Sequence, residues 1–132
     1  MEASRPESVM HVVGTPTSRG VTWVWVQEDL DLATVERARR ELEAVLAAPE
    51  IGRVLVYVGV ERFVALGGLR LIVETAEGVH SRGGALAVVA PPQCVRTLVE
   101  INGLAEVLPL IATSRDAALW AGRLRRRDGV RY

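Results

Sequence analysis

From Val21 to Val26 the chain reads VTWVWV, a run without charge, dense in β-branched and aromatic side chains, which predicts a strand. A shorter apolar run, Val9–Val13, precedes it, and the turn-rich GTPTSRG between them predicts a hairpin. The period then changes. In DLATVERARRELEAVLAAPE the apolar positions Val35, Ala38, Leu42, Val45 and Leu46 recur at helical spacing, with charge on the opposite side. Asp31 or Thr34 is placed to cap this helix, and Pro49 stops it. The next run, RVLVYVGV (Arg53–Val60), is almost unbroken in its apolarity, as a strand covered on both faces should be.

FVALGGLRLIVE then passes from apolar residues through a Gly-Gly pair into a second helix, predicted from about Leu66 to His80. Its inner face is Leu69, Ile72, Val73, Ala76 and Val79. SRGG is a turn, and ALAVVA (Ala85–Ala90) is another buried strand. PPQCVRTLVEING opens a helix with proline and closes it with Asn102-Gly103. VLPLI (Val107–Ile111) predicts a short last strand, placed at an edge by Pro109. Thr113-Ser114-Arg115-Asp116 has capping-box spacing ahead of a final helix in which Ala117, Trp120, Ala121 and Leu124 share a face.

The order β-β-α-β-α-β-α-β-α predicts an α/β fold: a mixed, mainly parallel sheet of about five strands with four helices packed on it. A single domain is expected over residues 1–132, with its core at about 9–122 and flexible tails at 1–8 and 123–132.

Composition narrows the function classes. With 49% hydrophobic residues a packed core is expected, and a formal net charge of zero argues against binding nucleic acid by phosphate neutralisation. No apolar run approaches the roughly 20 residues of a spanning helix, and MEASRPESVM lacks the apolar stretch of a secretory signal. A cytoplasmic protein without a membrane partner is expected. The lone Cys94 excludes an internal disulfide and a cysteine-cluster metal site.

Candidate chemistry is sparse. His11 and His80 lie far apart with no ligand nearby at metal spacing, and His80 reads as a residue complementing a helix C-terminus. Cys94 lies in the first turn of a helix without a base near it in sequence. The phosphate-loop signature is absent, and so is lysine. The acids EDLD (Glu28–Asp31) stand at a helix start, where negative charge is stabilising, or offer Asp31 as a surface group. In the basic tail RLRRRDGVRY the arginines near a helix end complement the same dipole and the rest reads as frayed, with a binding role as the alternative. Trp23 and Trp25 alternate along a strand and so face one side, as core or as a partner surface. No catalytic residue, metal site or cofactor is read from this inventory, and an enzyme is the least favoured class.

EDLDLATVERARRELEAVLA is similar to the stretch that bacterial STAS domains, the anti-sigma factor antagonists, place ahead of their first helix. Leu30, Asp31, Ala33 and Thr34 match the family's run, whereas Glu28 and Asp29 stand where Gly and Glu are usual. TLVEINGLAEVLPLIATSRDAALW resembles the family's leucine-rich helix, Gly-Leu turn, short strand and last helix. The resemblance implies that Gly68-Leu69 end an Asp-Ser-Ser-Gly-Leu motif whose first serine is phosphorylated by an anti-sigma factor that is also a kinase. Ala65 then falls at the Asp position, Leu66 at the phosphoacceptor and Gly67 at the second Ser, while Tyr57 replaces the acid of the preceding strand. Leu66 has no hydroxyl to phosphorylate.

The resemblance further implies a non-enzymatic signalling module that binds an anti-sigma factor or kinase-like regulator. Its docking face would comprise Asp31, Arg62, Leu66, Gly67, Gly68 and Arg70; the two arginines flank it, either simply solvated or meeting acidic groups of the partner. A second reading is a sensor of nucleotides or other anions, seated on the backbone amides of Gly67 and Gly68. A third is an assembly subunit, a homo-oligomer formed through the Trp-bearing strand.

Overall fold

The computed structural model describes residues 8–14 and 20–130, with side chains as far as Arg123. Five strands, β1 (Met10–Val13), β2 (Val21–Val26), β3 (Arg53–Tyr57), β4 (Ala85–Val89) and β5 (Leu110–Ile111), lie in the sheet in chain order. The hairpin makes β1 antiparallel to β2, and every later pairing is parallel. Between the parallel strands run α1 (Val35–Leu46), α2 (Leu66–Ser81) and α3 (Gln93–Ile101), and α4 (Ser114–Val130) follows β5.

This order dictates the layers. Parallel crossovers are right-handed, and strands added in one direction therefore keep sending their helices to one face. Accordingly Val24, Val54, Val56 and Val88 form one core with Ala38, Leu42, Leu69, Ile72 and Val95. Only the opposite face remains for α4, whose Ala117 and Ala121 pack with Leu55, Ala87 and Val89. β3 is covered on both sides, which explains its continuous apolarity. Trp23 and Trp25 do share a side, the α4 side: their rings stack at 5.3 Å, and Tyr57 lies 4.6 Å from Trp25. All three remain half-buried.

β1 and β4 fall one residue short of the apolar pattern, and two strands, β3 and β5, fall well short of it. Past Tyr57 the amides of Val58 and Gly59 still bond to Val89 and Ala90, but Gly59 takes a φ of 98° and turns the chain out of the sheet. Residues Val107 and Leu108, expected in the last strand, instead direct their amides back to the Leu104 carbonyl at 3.1 and 2.8 Å. β5 is thereby reduced to Leu110–Ile111, at the edge where Pro109 put it. α4 runs on to Val130, past the expected core boundary at 122. The Leu124 side chain and residues 1–7 lie outside the described set.

Polar side chains tie the helices to the frame. Glu41 of α1 accepts the amides of Val9 and Met10 at 3.1 and 2.9 Å, fixing the start of β1. Arg39 bridges α1 to α2 through Glu74 at 3.0 Å. Arg82, just past α2, donates to the carbonyls of Leu46, Ala48 and Pro49, where α1 ends with no basic residue in its own last turn. Its guanidinium supplies both the missing donors and the missing positive charge. Arg82→Met keeps the stem and removes the head, and is expected to cost about 1 kcal/mol, a fall of a few degrees in Tm. A melting curve that superimposes on the parent's would show that solvent replaces the guanidinium without loss.

Candidate functional site

The carboxyl edge of the sheet is where α1 and α2 begin. Two loops meet there. Leu30 and Val64 form an isolated parallel bridge, with Leu30 N–H donating to the Phe63 carbonyl at 3.0 Å and Ala65 N–H to the Leu30 carbonyl at 2.8 Å. Asp29 adds a third tie, its carboxylate accepting the Phe63 amide at 2.9 Å. The sequence-predicted Asp31 loop and Leu66 turn are thus one surface.

Gly68 is what permits so close an approach. A β-carbon on it would sit 2.7 Å from Leu30 Cβ and 3.0 Å from the Leu30 carbonyl oxygen, whereas one on Gly67 would meet nothing within 4 Å. The two glycines of the junction are therefore not equivalent: Gly68 is a buried contact and Gly67 an open position.

The side chains that emerge are apolar. Leu66, the first residue of α2, is 54% exposed, Phe63 53%, Val60 67% and Leu32 93%. Leu32 and Leu66 each lie two residues beyond the Leu30–Val64 bridge, Leu32 in a turn and Leu66 at the opening of α2. Only Leu66 among the four was expected at the site. Leu32, Val60 and Phe63 sit in loops, where periodicity carries no information on burial.

The charged residues divide by what they already hold. Asp31 accepts the amides of Ala33 and Thr34 at 2.9 and 3.2 Å and so holds the turn that leads into α1, half-buried. Arg70 stands exposed one turn after Leu66, on the same face of α2. Arg62 is half-buried, and its Nε is shielded from solvent without a hydrogen-bond partner. Neither arginine meets a carboxylate among the described residues.

Hydroxyls near this edge are engaged. Thr34, buried, donates to the Asp29 carbonyl at 2.7 Å, and buried Thr75 donates to Leu71 at 2.9 Å. Ser81 is at the far end of α2. The start of α2 itself has no side-chain cap and no acid in its first turn. Cys94 does lie in the first turn of α3 and His80 in the last turn of α2, while His11 is on β1. Among the described residues no three His, Cys, Asp or Glu side chains converge as a metal site, and no helix is long and apolar enough to cross a membrane.

An antiparallel edge strand, four strands in sequential order and a last helix alone on the second face define an α/β module of the STAS type. The chain belongs to that family: the family model described as "Mlab, STAS domain" matches residues 13–111. Its fold is shared with an anti-sigma-factor antagonist (STAS) domain protein from Planctomyces limnophilus, at 17% identity and TM-score 0.73, covering 86% of this chain and 97% of that one. An anti-sigma factor antagonist from Mycobacterium paratuberculosis is 25% identical with TM-score 0.72, over 88% of this chain and 96% of its own. The phosphorylated form of the Bacillus cell fate determinant SpoIIAA is 16% identical with TM-score 0.61, over 83% and 96%. No curated protein sequence matches the chain.

Proposed function

We propose that this protein is a non-enzymatic signalling module that docks an anti-sigma factor or kinase-like regulator through the start of α2. On this reading phosphorylation at the family's acceptor position cannot release the partner. One observation carries the proposal: the side chain that stands exposed at the first position of α2 is leucine, where the resemblance places a serine. A phosphate there would add about −1.5 to −2 charges to a contact surface, whereas leucine keeps that surface permanently neutral and apolar. Neither Thr34 nor Thr75 is free to substitute, since both are buried and hydrogen-bonded.

The test is capture from lysate of the native host on the immobilised protein, with and without ATP, read by mass spectrometry. An anti-sigma kinase retained equally in both conditions is the expected result. Release on adding ATP would overturn the permanent engagement, and recovery of no such regulator would overturn the docking role.

The uncapped start of α2, with Gly67 open to solvent, favours the anion-sensing reading as the alternative. Thermal shift with ATP, GDP and inorganic phosphate separates the two: a rise in Tm that Gly67→Pro abolishes belongs to a sensor and is not expected of a docking module.

A further inference from the structure

Main-chain groups at the outer side of β1 are left over by the sheet. Gln27 N–H donates to the Val9 carbonyl at 2.7 Å, so that carbonyl points toward β2. Antiparallel pairing alternates, and His11 and Val13 therefore also bond toward β2, while the N–H and C=O of Met10 and Val12 point away from the sheet. The Met10 amide has an acceptor in the Glu41 carboxylate at 2.9 Å. The Val12 groups face no strand among the five. Proteins ordinarily guard such a position with a charge, a proline or a bulge. β1 reads Met-His-Val-Val, in unbroken register with β2, and leaves Val12 38% and Val13 44% exposed.

From this edge we infer that the protein pairs with a second copy of itself, β1 against β1, antiparallel about a twofold axis at Val12. The Val12 N–H of each copy donates to the Val12 carbonyl of the other, and His11 of each falls opposite Val13 of the other. Charge is what selects a second copy. β1 holds no acid and no arginine, and its neighbours across β2 are Val24 beside Val12, Trp23 beside Val13 and Trp25 beside His11. Such a strand lies against its own image without like-charge repulsion, and a formal net charge of zero holds no two molecules apart. The arrangement also closes on itself. Head-to-tail growth would need β1 to join β5, which has only two residues and follows Pro109. A four-residue strand makes a small contact, so the dimer is a weak one. The pairing uses β1 and not the start of α2, and stands apart from the docking role proposed above.

The experiment is sedimentation equilibrium of the full chain from about 1 µM to about 500 µM, which spans the range of weak association. The expected mass rises from 14.3 kDa toward twice that value and no further. Val12→Pro removes the outward N–H and leaves the bonds to β2, and Val12→Lys sets two positive charges against each other at the axis. Each should raise the dissociation constant about tenfold or more, with the melting temperature of the dilute protein held. Val12→Lys, at an exposed side chain, decides alone if Val12→Pro unfolds early. A parent that stays at 14.3 kDa throughout overturns the inference, and if Val12→Pro then loses a host protein that the parent captures, the edge belongs to another chain's strand. A dimer that survives both substitutions lies on another surface and overturns it too. Dissociation by Val12→Lys with a dimer kept by a folded Val12→Pro overturns main-chain pairing, and a mass that grows past the dimer overturns the closed twofold.

Discussion

Gly68→Ala is expected to lower stability by about 2 kcal/mol, a drop of several degrees in Tm, while Gly67→Ala one residue earlier raises it by about 0.5–1 kcal/mol. Both substitutions remove a glycine from the first turn of α2, so helix propensity favours both equally. What separates them is the opposing wall. The new methyl at 68 would lie 2.7 Å from Leu30 Cβ, 3.0 Å from its carbonyl oxygen and 3.3 Å from Val64 Cγ1. A β-carbon and a backbone oxygen cannot swing aside as the tip of a long side chain would. Relief comes only by moving the whole Leu30 loop, at the expense of the hydrogen bonds to Phe63 and Ala65. Thermal melts of the two variants decide the matter, and changes of the same sign would mean that the loop yields more easily than these contacts indicate.

Leu66→Asp is expected to separate folding from docking. At the first position of a helix with no acid in its first turn, a carboxylate is favourable, by about 0.3–1 kcal/mol. The melting temperature should therefore hold or rise slightly. Recovery of the partner should fall about a hundredfold, because the interface would have to bury an unpaired charge where it had an apolar side chain. Leu66→Ser provides the complementary measurement: capture retained without ATP and diminished with it, if the retained regulator is a kinase that accepts the restored hydroxyl. Undiminished capture by Leu66→Asp would move the docking surface elsewhere on the domain.

Much of this architecture is legible in the sequence because its helices are amphipathic and its inner strands continuous. Leu69, Ile72, Ala76 and Val79 are buried where the period placed them, and so are Ala38, Leu42 and Val45. The glycine–leucine junction is legible too, as motif and as turn. Other features depend on elements distant in the chain, and no local pattern carries them. Arg82 finds its three carbonyls more than 30 residues upstream. Asp29 reaches Phe63 across a similar separation, so its role in joining the two loops is invisible from its neighbours. Asp31 is the instructive intermediate: its position marks both a helix cap and a surface acid, and only the bonds to Ala33 and Thr34 show that its carboxylate holds the turn ahead of α1. The exposure of Leu32, Val60 and Phe63 follows from where the sheet ends, which periodicity does not report.

The carboxylate that Glu41 offers to Val9 and Met10 has a consequence for how these molecules behave in a crowd. β1 is an open sheet edge, and a bare edge is a template on which another chain can add a strand. Its valines at 12 and 13 are exposed, which adds to the hazard. At its beginning, however, the Met10 amide is already taken by the Glu41 carboxylate, which a newcomer would have to displace in order to pair there. One acid borrowed from a neighbouring helix thus obstructs polymerisation from the end of the sheet where the strand begins.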